Sequence, residues 1–199
     1  KIVLITGSAK RIGNAIAQDF AAKGWHVAAH YSASEKEAQE LAATLTAKGQ
    51  KISLFQADLT QPHAARELFT RVEQAIGKPD ILINNACRFE RDEGVITEQD
   101  FNAHMAANAY SAIELAQRMR GDEQRFVFNM LDHTLDMSWP VLSSYVLSKA
   151  TLEEWTRRAA PLAKPNVHIF GLRLGPTLLN PRQSQTHFAE AVSKTPIKA

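Results

Sequence analysis

Short apolar runs alternate with stretches of helical periodicity along all 199 residues, and this alternation constrains the fold more than any other feature. The apolar runs have the length of buried strands and lie at Ile2–Ile5, Val27–Ala29, Ile52–Phe55, Ile81–Ile83, Phe126–Phe128 and Val167–Phe170. Alternating strands and helices imply right-handed crossovers and a parallel sheet covered by helices on both faces. We therefore expect an α/β fold with one doubly wound parallel sheet and ligands at the carboxyl ends of its strands.

The clearest helical stretch covers residues 34–49, where Gly49 can end the helix. Its apolar stripe consists of Ala38, Leu41, Ala42 and Leu45. Length and a hydrophobic content of 45% fit one domain over residues 1–199. The segment 175–199 combines prolines with a helical pattern, which predicts a lid over the substrate. Because the chain starts directly on a strand and stops in a loop-like sequence, we expect that terminal residues are missing.

Composition narrows the class of partners. The net charge is +2, from 23 basic and 21 acidic residues that are interspersed, so no nucleic-acid partner is expected. Cys87 is the only cysteine, which excludes an internal disulfide and fits a reducing cytosol. No apolar run approaches the roughly 20 residues of a membrane span, and the scattered histidines form no metal-ligand pattern. We expect a cytoplasmic protein without membrane or metal.

The first strand runs into a glycine-containing turn, Thr6-Gly7-Ser8-Ala9-Lys10-Arg11-Ile12-Gly13, and then into a helix. Such glycines let backbone amides approach a pyrophosphate at the positive end of a helix. The next strand ends at Tyr31 and Ser32 with no carboxylate to bind a ribose 2'-hydroxyl. Ser32, Ser34, Lys10 and Arg11 supply donors and cations instead, which favours NADP(H) over NAD(H). The alternative is that both serines are ordinary surface residues.

Tyr145 and Lys149 are four residues apart in a helical stretch, so their side chains are neighbours. An ammonium beside the phenol favours its ionised form and would tune Tyr145 for proton transfer. Asp132 precedes this pair, and its negative charge would oppose Lys149 and keep the phenol protonated. From the spacing alone, an ordinary helical face is the more common explanation.

Five separated motifs together resemble the short-chain dehydrogenase/reductase family: Thr6-Gly7-x-x-x-Arg11-x-Gly13, Asp58, Asn84-Asn85-Ala86, Asn108 and Tyr145-x-x-x-Lys149. The resemblance implies a Rossmann-type fold in a homodimer or homotetramer. It places Asp58 and Leu59 by the adenine, Asn85 and Ala86 along the cofactor cleft, and Lys149 on the nicotinamide ribose. Asn108 would bind a water that links Lys149 to solvent. Other residues implied to bind the cofactor are Ile12, Met130, Tyr145 and Gly175.

Asp132 stands where most members of that family carry a serine, and this is similar to the pteridine reductase branch. Lys10 to Gly13, His30-Tyr31 and Asn84 to Phe89 match the same branch. That branch implies hydride transfer to a C=N bond of a pterin, with Tyr145 and Asp132 relaying the proton. Phe89 would stack on the pterin.

Arg11 and Cys87 would also line the substrate site, although the packing of a small residue explains Cys87 better than nucleophilic catalysis does. Ala33 and Leu174-Gly175-Pro176 depart from the usual pattern of the branch. Two alternatives stay open: a ketone or 3-oxoacyl reductase, and a non-catalytic NADPH-binding regulatory protein.

Overall fold

The computed structural model describes residues 1–92, 95–136, 142–179 and 184–193. It contains a parallel sheet of six strands in the order β3-β2-β1-β4-β5-β6. The strands are β1 (Ile2–Ile5), β2 (His26–Tyr31), β3 (Ile52–Gln56), β4 (Ile81–Asn84), β5 (Arg125–Asp132) and β6 (Val167–Leu174). Every apolar run of the sequence lies in one of them, so the prediction of a doubly wound α/β fold is confirmed.

Seven α-helices occupy the described residues. They are α1 (Arg11–Ala22), α2 (Glu35–Ala47), α3 (Ala64–Ile76), α4 (Glu98–His104), α5 (Ser111–Arg118), α6 (Ser143–Ala159) and α7 (Gln185–Ser193). A π-helical turn, Met105–Tyr110, joins α4 and α5 into one continuous helical segment. The helices predicted at residues 34–49 and in the C-terminal segment correspond to α2 and α7. None of the helices in the described ranges is long and apolar enough to cross a membrane.

Alternate residues of each strand point to opposite faces of the sheet, and both faces are covered. Leu4 and Leu82 belong to a buried cluster with side chains of α3 and α5. Their neighbours Val3 and Ile83 belong to a second cluster with side chains of α1 and α2. Because each strand is buried on both faces, its sequence is continuously apolar.

The direction of the crossovers reverses between β1 and β4. β1 pairs with β2 on one side and with β4 on the other. In an open parallel sheet this reversal separates the loops at the carboxyl ends of the two strands and leaves a crevice between them. The turn that follows β1 and the Asn85-Ala86 segment that follows β4 both lie at this crevice, in agreement with the position that the family resemblance implies for Asn85 and Ala86.

Candidate active site

The turn after β1 is fastened to the segment after β4 by four hydrogen bonds. The backbone amides of Asn85 and Ala86 both donate to Thr6 Oγ1 at 2.9 Å. The Asn85 side chain donates two hydrogen bonds of 3.0 Å, from Nδ2 to the carbonyl oxygens of Thr6 and Gly7. The side chain of Asn85 therefore shapes the cofactor turn.

Two glycines are required by this close approach. Gly7 has φ +65°, and a Cβ atom there would lie 2.9 Å from Ala86 Cα. At Gly13, on α1, a Cβ atom would lie 2.2 Å from the Gly7 carbonyl oxygen. The Lys10 side chain makes no capping hydrogen bond to the start of α1. The amides of Arg11, Ile12 and Gly13 therefore remain available at the positive end of the helix, where a pyrophosphate fits.

The loop after β3 holds a preorganised carboxylate. Thr60 donates to Asp58 Oδ1 from both its amide, at 3.0 Å, and its hydroxyl, at 2.7 Å. These hydrogen bonds hold the pKa of Asp58 below its ordinary value. The Leu59 side chain is buried in the core cluster, which leaves its backbone for a ligand. The contact of Asp58 and Leu59 with adenine stays a prediction.

Sequence reasoning missed a carboxylate near the end of β2. Lys10 Nζ lies 2.7 Å from Glu37 Oε1, one turn into α2. Tyr31 ends the strand, Ser32 is exposed, and Ser34 directly precedes α2. Lys10 therefore already has an anionic partner in the corner predicted to bind a 2'-phosphate. The hydrogen bond from Lys10 lowers the pKa of Glu37.

His30 is a buried link between three segments: β2, the turn after β1 and the loop after β3. Its Nδ1 accepts a hydrogen bond of 3.1 Å from the Gly7 amide, so Nε2 carries the proton and donates to the Ala57 carbonyl at 3.0 Å. The backbone carbonyl of His30 accepts from the Ser8 amide at 2.9 Å. Burial lowers the pKa of His30 to about 4. A neutral imidazole therefore fixes the turn after β1 against the loop after β3.

This burial predicts a loss of stability in acid. The unfolded chain protonates His30 below pH 6.5, but the folded protein does so only below about pH 4. The stabilising contribution is therefore complete above pH 6.5 and decreases by about 3 kcal/mol as pH falls to the folded pKa. The free energy of unfolding, measured with urea between pH 6.5 and about pH 4, should depend more steeply on pH in the wild type than in His30→Asn. Equal slopes would refute the assignment.

Tyr145 and Lys149 lie one turn apart on α6, as predicted, and both are buried. The Tyr145 hydroxyl donates to Asp132 Oδ2 at the end of β5. Lys149 Nζ donates to the Met130 carbonyl at 2.7 Å. Burial raises the pKa of Tyr145 far above its ordinary value, and the neighbouring Cys87 and Asp132 raise it further. This direction is opposite to the lowering expected from Lys149 alone, so Tyr145 is held as a protonated acid.

Asn108 lies within the π-helical turn and connects α6 to the loop after β4. Its Oδ1 accepts from the Arg88 amide at 2.7 Å, and its Nδ2 donates to the Arg88 carbonyl at 2.9 Å. The same Nδ2 lies 2.9 Å from Ser148 Oγ, a contact that sequence reasoning did not identify. π-Helical turns are rare and often occur at functional sites. The water predicted between Asn108 and Lys149 stays a prediction.

The loop after β4 brings two predicted substrate residues to Tyr145. The rings of Phe89 and Tyr145 meet edge to face with centroids 4.7 Å apart, and Phe89 is 40% exposed. Cys87 is also exposed as a residue, although its sulfur lies among neighbouring groups that shield it from solvent. Desolvation of its sulfur raises the pKa of Cys87, while neighbouring Lys149 partly offsets this. Both side chains therefore border the cleft in front of the Tyr145 hydroxyl.

The segment after β6 crosses the same end of the sheet. Arg11 Nη2 donates to the Leu178 carbonyl at 3.1 Å, and Thr177 Oγ1 donates to the Gly175 carbonyl at 2.9 Å. Gly175 thus lies near the cofactor turn, and its contact with a nicotinamide stays a prediction. Of the predicted lid, residues 180–183 and 194–199 lie outside the described ranges. Within those ranges, no group of three or more His, Cys, Asp or Glu side chains could hold a metal ion.

Comparison with known proteins agrees with this geometry. The structure is similar to that of FolM alternative dihydrofolate reductase 1 from Brucella canis in complex with NADP, with a TM-score of 0.89 and 31% identity over 100% of this chain and 80% of that one. It is also similar to landomycin C-6 ketoreductase LanV with bound NADP and rabelomycin, with a TM-score of 0.80 and 25% identity over 88% and 72% of the two chains.

Among curated proteins, pteridine reductase 1 from Leishmania tarentolae is 29% identical in an alignment that covers 89% of this chain and 77% of that protein. The chain spans 61 to 63% of the length of the first curated relatives that it matches. The family model of the short chain dehydrogenases matches residues 1–189. The glycine turn, the Asn85 clamp and the Tyr145 and Lys149 pair all lie inside that range, and the chain belongs to the short-chain dehydrogenase family.

Proposed function

We propose that this protein is an NADPH-dependent reductase that acts on a C=N bond of a pterin. The observation that carries the proposal is the hydrogen bond from the Tyr145 hydroxyl to Asp132, beside the exposed ring of Phe89. An acid that is coupled to a carboxylate and lies beside an exposed aromatic ring suits a planar heterocycle that must accept a proton. The likeness to FolM and to pteridine reductase 1 supports the same substrate class.

The described residues fit a nicotinamide dinucleotide. The amides at the start of α1 would bind its pyrophosphate, and Gly7 and Gly13 place no side chain of their own over those amides. Lys10, Ser32 and Ser34 would bind the 2'-phosphate, with Lys10 exchanging Glu37 for the new anion. Lys149 and the Met130 backbone would hold the nicotinamide riboside. When bound, NADPH would supply the hydride.

Tyr145 supplies the proton in this mechanism. Its raised pKa keeps the phenol protonated at neutral pH, and its hydroxyl already points to a partner that can pass on a second proton. Asp132 Oδ1 also lies 3.2 Å from His133 Nδ1, and this imidazole is exposed. A proton lost by Tyr145 can therefore be replaced from solvent along His133 and Asp132.

The substrate would lie against Phe89, with its reacting nitrogen at the Tyr145 hydroxyl. Arg11 is exposed at the edge of the cleft and offers donors to the polar edge of a pterin. Cys87 contributes a neutral thiol to the floor, because its raised pKa disfavours the thiolate. The segment after Gly175 would close over the substrate as a lid.

Steady-state turnover of dihydrobiopterin and dihydromonapterin with NADPH tests the proposal in the full-length protein. We expect NADPH oxidation that depends on the pterin, and absence of pterin turnover by a preparation that binds NADPH would refute it. The likeness to LanV makes ketone reduction the second candidate. Turnover of a polycyclic ketone that survives Asp132→Ala would favour that reading. Binding of NADPH with neither activity would favour a regulatory protein.

A further inference from the structure

The amino end of the catalytic helix α6 is capped by a residue far away in the sequence. Asp92 Oδ2 accepts a hydrogen bond of 2.8 Å from the Ser144 amide, across 52 positions of the chain. Leu142, the residue preceding α6, provides no side-chain cap, and the first turn of α6 contains no acidic residue. Asp92 thus supplies the anion that the positive end of a helix favours.

This contact is buried. Asp92 is 3% exposed and Ser144 is fully covered. Burial alone would raise the pKa of Asp92, but its hydrogen bonding at the start of α6 brings the pKa below its ordinary value. Asp92 is therefore ionised at neutral pH. A buried carboxylate is costly unless its partners compensate it, so this arrangement calls for a specific role.

Asp92 lies three residues beyond Phe89 in the segment after β4. That loop starts at Asn85, which is clamped to the cofactor turn, and it is held in its middle by the two bonds between Asn108 and the Arg88 backbone. Asp92 ties the chain beyond Phe89 to the residue that directly precedes Tyr145. Hydrogen bonds therefore fix the chain on both sides of Phe89, and the one made by Asp92 is fully buried.

Three buried polar atoms at and around Asp92 lack a hydrogen-bond partner among the described residues. They are Asp92 Oδ1, Ser144 Oγ and His104 Nε2. His104 lies at the end of α4, and its Nδ1 donates to the Asp100 carbonyl at 2.8 Å. Such unsatisfied atoms mark a site that packing alone does not explain.

We propose that Asp92 is a positioning residue that locks the Phe89 loop to the amino end of α6 and so sets the gap between Phe89 and the Tyr145 hydroxyl. This inference rests on the proposed function in one respect, which is that the substrate is a pterin. Asp92 touches neither substrate nor cofactor in this role, because its carboxylate is buried against the Ser144 amide. It acts on the reaction through the placement of two other side chains.

Three variants test this role. Asp92→Ala removes the acceptor, and we expect kcat to fall about 10- to 100-fold, the scale of a small misplacement of reacting groups. The affinity for NADPH, measured by fluorescence titration, should stay within about twofold, because the amides of α1 are untouched. Asp92→Asn keeps an oxygen for the Ser144 amide and should recover most of the lost kcat. Glu90→Ala removes an exposed carboxylate from the same loop and should leave kcat unchanged.

Hydrogen exchange provides a readout that needs no substrate. The amide of Ser144 should exchange faster in Asp92→Ala and at the wild-type rate in Asp92→Asn. If the alanine variant does not fold, the asparagine variant tests the proposal by itself. A wild-type kcat and wild-type protection of the Ser144 amide in Asp92→Asn support the role of Asp92 as a hydrogen-bond acceptor. Unchanged exchange and kcat in Asp92→Ala, or an asparagine variant as impaired as the alanine variant, would overturn it. Absence of pterin turnover by the wild type refutes the proposed function but leaves the exchange result interpretable.

Discussion

Replacing Tyr145 with phenylalanine is expected to lower kcat about 10²- to 10⁴-fold, the usual contribution of a positioned general acid. The ring would keep its edge-to-face contact with Phe89, so the buried surroundings of α6 should be preserved. What disappears is the proton donor and its hydrogen bond to Asp132. NADPH affinity should change little. Stopped-flow measurement of NADPH oxidation separates the loss of chemistry from any change in binding.

Tyr110→Phe is the matched control for this experiment. Tyr110 is 58% exposed and its hydroxyl bonds only to Glu114 among the contacts of the described chain, at 3.1 Å. Removing that hydroxyl should leave kcat within about twofold of the wild type. If Tyr145→Phe retained most of the activity, the proton would have to come from another group, and the role of Tyr145 would be wrong.

Gly13→Ala is the second change with a large expected effect. In most helices this substitution is favourable by roughly 0.5–1 kcal/mol, because glycine costs more conformational entropy. Here the new Cβ would lie 2.2 Å from the Gly7 carbonyl oxygen and 2.7 Å from Asn85 Nδ2. Because backbone cannot move aside cheaply, we expect a loss of about 1–3 kcal/mol in unfolding free energy. The displaced turn should also weaken NADPH binding at least tenfold, about 1.4 kcal/mol.

Gly24→Ala separates steric overlap from the general cost of replacing a glycine. Gly24 has φ +80°, and a Cβ atom there would meet only open space, so alanine should lower stability by only about 1 kcal/mol. It should not alter NADPH affinity, because the residue follows α1 rather than preceding it. Thermal unfolding and NADPH titration of both variants test the comparison. Equal losses of stability and NADPH affinity in Gly13→Ala and Gly24→Ala would show that the close approach of residue 13 to the Gly7 carbonyl oxygen does not matter.

Local features of the sequence predict most of the fold. The strand assignments succeed because a parallel strand that is buried on both faces must be apolar throughout, as at Ile81–Ile83. Tyr145 and Lys149 are neighbours because a helix brings positions i and i+4 together. The clamp between Asn85 and the cofactor turn agrees with the predicted cleft.

The remaining contacts depend on long-range packing. Glu37 pairs with Lys10 and Asp92 caps α6, yet neither partner is near in sequence. A carboxylate in a loop has the same local pattern whether it is solvated or buried. Cys87 shows the same dependence, since its residue is exposed while its sulfur is desolvated by groups from other segments. These distinctions arise only when the loops converge at the end of the sheet.

The π-helical turn between α4 and α5 contains Asn108. A π-helical turn closes its hydrogen bonds from residue i to i+5, so it accommodates one residue more than an α-helical turn. Deleting one residue between Met105 and Tyr110 would therefore let the segment return to α-helical geometry, with α4 and α5 close to their present register. The loss would fall on the turn itself, where Asn108 is held against Ser148 and the Arg88 backbone.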